Sequence, residues 1–324
     1  MSGNDRQHKT LCFQNLPRKE YFEGWYFKQV SSDENTVICF IPGLSVHQGT
    51  KSPFIQAILA QKNGEVWHQT TDWLDVPALQ AQDAPFSVQL DGNHFRRDSI
   101  TLAYPGERLQ VRGELRFHNL IAPPASVWAP TVMGPFSYLP GMECIHSVIS
   151  LMHTLSGLLE INGRLVDFTG GKGYIEKDWG SSFPGRYVWL QSNHFAHEGS
   201  LFFSWADIPA LGTTFKGYIS HLYYGGVHHR YATYTRGSCK LTSSGQEVDI
   251  VLKNADSTLK IKAAQSGGAE LAAPHRGQMV HTIKEGLFGR LSFCLEGSKT
   301  RRSLCDRTSL AGIELVWDKG EKQG

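Results

Sequence analysis

The stretch Y-F-E-G-W-Y-F-K, residues 21–28, packs five aromatic side chains and one acid, Glu23, into eight positions. On a strand, alternate side chains point to opposite faces. Tyr21, Glu23, Trp25 and Phe27 then share one face, and Phe22, Tyr26 and Lys28 the other, with Gly24 leaving a gap. If the first face points inward, Glu23 is a carboxyl group among rings, and desolvation favours its protonated form. If it points outward, Glu23 is a solvated acid on an edge. Register decides between the two.

The same period continues along the chain. Runs at 36–41, 54–60, 86–90, 99–104 and 109–118 read as strands, and they end at Pro42-Gly43, Asn63-Gly64, Asp91-Gly92 and Pro105-Gly106. Turn residues at intervals of roughly ten are the pattern of an antiparallel sandwich or barrel. Residues 120–143 break it with Pro123, Pro124, Pro130, Pro135 and Pro140, so they read as a crossing segment and not as a central strand. A helix is conceivable over 145–161, but its β-branched residues and the Asn162-Gly163 turn favour a hairpin with R-L-V-D-F. Strands are expected again over 187–195, 199–205, 214–224, 230–235, 247–254, 258–263, 289–296 and 313–317, with His228-His229 in a turn.

Lys and Arg total 32 against 30 Asp and Glu, a net charge of +2, which gives nucleic acid no basic surface to bind. The N-terminus is polar and no apolar run reaches the ~18 residues of a membrane helix, so a cytoplasmic protein is the default expectation. The six cysteines form no C-x-x-C pair and read as reduced, mostly buried residues. The 14 histidines show no metal-ligand spacing, so no metal is expected.

Two further clusters carry chemistry. In G-G-K-G-Y-I-E-K-D-W-G-S-S-F-P (170–184), Tyr174, Glu176 and Asp178 share one strand face, with Lys177 and Trp179 on the other. Paired carboxylates can share a proton; they can equally be surface acids paired with bases. In R-Y-V-W-L-Q-S-N-H-F (186–195), Tyr187, Trp189, Gln191, Asn193 and Phe195 alternate with Val188, Leu190, Ser192 and His194. Such a face suits a barrel interior that binds a polar aromatic headgroup, or a core strand whose amides satisfy backbone. His146 lies beside the Pro-rich crossing, where a pocket mouth is expected.

F-E-G-W-Y-F-K (22–28), Y-I-E-K-D-W-G-S-S-F-P (174–184) and W-L-Q-S-N-H-F (189–195) together resemble the tocopherol cyclase family, and L-A-A-P (271–274) and A-G-I-E-L (311–315) fall in its order. Asp178 stands where that family usually has Asn. The resemblance implies an all-β fold of two lipocalin-like antiparallel β-barrel or sandwich domains packed together, related to carotenoid hydratase-like folds. An N-terminal tail (1–19) would precede domains at 20–165 and 166–324.

It further implies acid-catalysed cyclisation or hydration of a prenylated quinol or similar isoprenoid, with no cofactor, and transient contact with a membrane surface to collect substrate. Glu23, Glu176 and Asp178 become the candidate proton donors. Trp25, Trp179 and Trp189 become walls that stabilise a carbocation or pack. Tyr26, Gln191, Asn193 and His146 become groups that bind and orient substrate. The alternatives are a lipocalin-type carrier whose acids pair with Lys28, Lys177 or Arg186, and an interaction protein whose pocket is filled by side chains.

Overall fold

The computed structural model describes residues 9–210, 213–297 and 303–317; the first eight residues of the expected tail lie outside it. The described chain is almost entirely antiparallel β, with one short 3-10 helix at Gly134–Tyr138. It forms two sheets, of twelve and ten strands, and divides into two compact units. The first comprises residues up to Phe183 together with Ala269–Thr282, and the second the remainder. The division between Phe183 and Pro184 lies later than the expected one after residue 165. The reason is pairing: Lys172–Gly180 is hydrogen-bonded between Tyr21–Val30 and Cys144–Ile161, in the centre of the first sheet.

The first sheet runs from Val66–Asp75 through Thr50–Asn63, Thr36–His47, Tyr21–Val30, Lys172–Gly180, Cys144–Ile161, Gln110–Ile121, Ser99–Pro105, Asn93–Arg96 and Phe86–Leu90 to Gln80–Asp83. Its two end strands are not paired, so the sheet is open and sandwich-like. It nevertheless bends back on itself. Phe27 and Phe40 reach Phe95, far along the strand order, at ring distances of 5.3 and 6.4 Å. Phe40 also meets Tyr104 edge-on at 5.7 Å. Glycines permit the bend: Gly113 and Gly157 have φ of 134° and 126°, and an added Cβ would lie 2.3 and 2.2 Å from the neighbouring strand's backbone.

The concave face is filled by Trp25, Phe27, Ile38, Phe40, Phe95, Tyr104, Leu115, Phe117 and their neighbours. The expected tail contributes here too: Leu11 is buried in this core and Phe13 packs against it. The hairpin at Asn162-Gly163 forms as expected, Ile161 opposite Arg164 and both turn residues at positive φ.

The second unit has its own core of Val188, Leu190, Leu201, Phe203, Leu222, Ile250, Ile261, Phe293 and Ile313. Three expectations change in it. Gly225-Gly226 makes the turn, and His228 and His229 lie within the Val227–Ala232 strand. The Tyr187 strand ends at Ser192, so the alternation fails beyond it and Phe195 packs into the core, edge-on to Phe293 at 5.1 Å. Cys294 and Cys305, taken as reduced, form a disulfide across directly opposed positions of Gln278–Gly297 and Ser303–Val316.

Candidate functional site

The Tyr21–Val30 and Lys172–Gly180 strands run side by side, so the two acid-bearing motifs interlock. Glu23 lies opposite Trp179, Trp25 opposite Lys177, Tyr26 opposite Glu176 and Gly24 opposite Asp178. Because side chains alternate, the pair sorts its chemistry onto two faces.

One face carries Glu23, Lys177, Trp25 and Trp179. Glu23 and Lys177 are both fully buried and 2.6 Å apart. Each Glu23 oxygen takes two donors. Lys177 Nζ and the Gln14 N–H meet Oε1; the Asn15 N–H and the Tyr21 hydroxyl meet Oε2. Lys177 Nζ stands 4.8 Å from the Trp25 ring and 5.0 Å from that of Trp179, and it also donates to the Cys12 carbonyl. Trp25 Nε1 donates to the Leu11 carbonyl at 2.8 Å. Burial pulls the Lys177 ammonium below its ordinary range, and Glu23 opposes that shift.

This network straps residues 11–15 across the sheet. Glu23 therefore accepts from four donors, two at each oxygen. Trp25 and Trp179 wall the Lys177 ammonium.

The opposite face carries Tyr174, Glu176 and Asp178, with His146 inserted from the Cys144–Ile161 strand directly opposite Asp178. His146 Nδ1 is 2.7 Å from Asp178 Oδ1, and its Nε2 is 3.5 Å from Glu176 Oε2. The Tyr174 hydroxyl donates to the same Glu176 oxygen at 2.5 Å. The Cys144 thiol lies 3.6 Å from Asp178 Oδ1, and the His146 N–H donates to Met133 Sδ at 3.0 Å. Side-chain exposure is 14% for His146, 17% for Asp178 and 8% for Glu176, so water reaches the cluster only at its edge.

Burial alone would strip the proton from His146. The Asp178 and Glu176 charges and the Asp178 hydrogen bond outweigh it, and the imidazolium is held with a pKa pushed up to about 9. Burial and the Glu176 charge push the Tyr174 hydroxyl well above its ordinary range. Gly24 faces Asp178, and a Cβ there would meet only ordinary contacts at 3.7 and 3.8 Å. Packing does not demand this glycine; it keeps the surface beside Asp178 flat.

The raised pKa links the cluster to stability. A folded-state pKa of about 9 against an ordinary value of 6.5 gives a contribution fully present below about 6.5 and lost as pH rises through about 9. Thermal unfolding of the wild type and of His146→Asn should therefore differ most at neutral and acid pH and converge toward pH 9. A gap that widens with rising pH would contradict the assignment.

His146, Glu176 and Asp178 also offer three potential ligand atoms within 4.8 Å of one another. Nδ1 already bonds the Asp178 carboxylate at 2.7 Å, while Nε2 stands 3.5 Å from Glu176 Oε2.

Of the sequence-based candidates, the first unit thus gathers Glu176, Asp178, His146 and Tyr26, and sets Glu23, Trp25 and Trp179 on the other face. Tyr26 lies edge-on to Tyr174 with ring centres 6.4 Å apart. Trp189 and Gln191 belong to the second unit, on the strand face opposite its Val188–Leu190 core face. Asn193 follows the end of that strand and is buried, as is Gln191. The members that the site reading lacked are Tyr174, as a donor to Glu176, and Cys144. Tyr174 was visible as a face-mate of both acids; Cys144 required the register of a distant strand.

The model of the Tocopherol cyclase-like family matches residues 112–316. No curated protein sequence matches the chain significantly. Among solved structures, CghA with Sch210972 aligns at a TM-score of 0.59 and 10% identity, over 94% of this chain and 90% of that one. A proposed AttH from Nitrosomonas europaea aligns at 0.53 and 13% identity, over 92% and 93%. Kievitone hydratase from Nectria haematococca aligns at 0.48 and 12% identity, over 97% and 95%. The chain belongs to the tocopherol cyclase-like family and has its lipocalin-like fold.

Proposed function

We propose that the protein is an acid-catalysed cyclase or hydratase acting on an alkene of an apolar, isoprenoid-type substrate, with Glu176 as the proton donor. The observation that carries this reading is His146 set between Glu176 and Asp178, 3.5 and 2.7 Å from their carboxylate oxygens, on a largely buried face. In water-accessible form the cluster keeps its proton on His146. An apolar substrate seated over it expels water and lowers the local dielectric, which penalises the charge-separated pair. The proton then moves across to Glu176 Oε2, giving a neutral imidazole and a carboxylic acid. That acid, now facing the substrate, protonates the alkene carbon whose cation is better substituted. A hydroxyl of the substrate, or water, adds to the cation and loses its proton, which returns to the Glu176–His146 pair. Tyr26 and Tyr174 present ring surface to the developing charge. Atoms balance: cyclisation gives an isomer, hydration adds one water, and no electrons are exchanged.

A lipocalin-type carrier shares the Glu23–Lys177 strap, because the strap is structural in either case. It has no use for Glu176 beside an imidazolium, and that pairing favours the enzyme. The test is incubation of the full chain with a panel of prenylated quinols and linear polyenes, followed by mass spectrometry for isomeric or water-added products. The expected result is turnover of at least one apolar alkene. Retention of a lipid with no product from any member of the panel would overturn catalysis in favour of the carrier.

A further inference from the structure

No charged side chain and no histidine occurs between Asn119 and Glu143. Within this segment Trp128 is 78% exposed, Tyr138 61%, Val127 53% and Leu139 47%. They form one patch, since the Tyr138 hydroxyl donates to the Val127 carbonyl at 2.7 Å. Ser126 and Ala129 exchange backbone hydrogen bonds, so Val127 and Trp128 occupy the apex of a closed two-residue tip. Pro123, Pro124, Pro130, Pro135 and Pro140 hold the segment in shape, and little ordering entropy is left to lose on binding.

We propose that this tip docks into a neutral lipid surface and brings the enzyme to substrate dissolved there. Four side chains expose a few hundred Å² at most, well short of the roughly 800 Å² per partner of a stable protein interface. The segment offers no charge to an acidic or basic partner, or to an anionic headgroup. An exposed Trp and Tyr around apolar neighbours suit the boundary between headgroups and acyl chains. The same segment reaches the candidate site, because Met133 Sδ accepts the His146 N–H. The choice of lipid rests on the apolar substrate proposed above.

The test is flotation of the full chain with phosphatidylcholine vesicles at low and high salt, using wild type, Trp128→Ser and Trp128→Ser/Leu139→Ser. The wild type is expected to float with the vesicles equally at both salt concentrations. Each substitution should weaken partitioning by about 10-fold or more, and the pair by about 100-fold. Failure of the wild type to float, or equal flotation of the variants, overturns the proposal. So does sedimentation showing that the wild type self-associates and the double variant does not, which would make the tip an interface between copies. The assay reads no turnover. Docking therefore stands or falls separately from catalysis: flotation without products would sink the enzyme reading alone.

Discussion

Glu23→Gln is expected to cost roughly 3–5 kcal/mol of folding stability, because it leaves Lys177 as a buried ammonium without its counter-charge. The surroundings cannot compensate. Lys177 is fully buried, two indole faces and the Cys12 carbonyl are its close contacts, only the weaker charge of Asp83 remains to oppose burial, and the carboxylate also holds the Gln14 and Asn15 N–H groups of the N-terminal strap. An amide keeps one acceptor where two are needed, and its NH2 faces donors. Urea denaturation should show the midpoint falling while the slope stays constant. The double variant Glu23→Gln/Lys177→Met should recover much of the loss, since removing both charges of a buried pair is far milder than removing one. A Glu23→Gln protein as stable as the wild type but without activity would restore Glu23 as a proton donor and refute its structural role.

Local pattern made much of the fold legible. Asp91-Gly92 and Asn162-Gly163 both form two-residue turns with positive φ at each residue, as their side chains demand. Pairing between distant segments was not legible. The motifs around Glu23 and Glu176 are about as far apart in sequence as a whole domain is long, and nothing local says that they neighbour each other. That one pairing moved the domain boundary past Phe183 and matched Glu23 with Lys177. Alternation along 174–178 correctly grouped Tyr174, Glu176 and Asp178, but the partner that defines their chemistry, His146, enters from another strand. The Cys294–Cys305 bond was hidden in the same way, by a register that a C-x-x-C search does not see. Alternation also overreached at Phe195, where the strand had already ended.

Glu176→Gln is expected to lower kcat by about 10²–10⁴ while costing only part of the stability linked to the raised His146 pKa. The amide can still accept the Tyr174 hydroxyl at the position of Oε2, so the fold around it has little to rearrange. What it cannot do is take a proton from His146 and pass it on. Asp178→Asn separates the two acids' roles. Asp178 touches Nδ1 of His146, the nitrogen turned away from Glu176, so it acts by holding the imidazolium. Without its charge the His146 pKa must fall, because Asp178 supplies the largest of the interactions that raise it to about 9 against the opposing effect of burial. The alkaline limb of the pH–rate profile should then move down from near pH 9 toward neutrality, while a substantial rate survives at acid pH. If both variants lost activity equally at every pH, Asp178 would itself be transferring the proton. If neither lost activity, the imidazolium between two carboxylates would be a structural device like the ammonium between two tryptophans on the other face, and the proton donor would lie elsewhere.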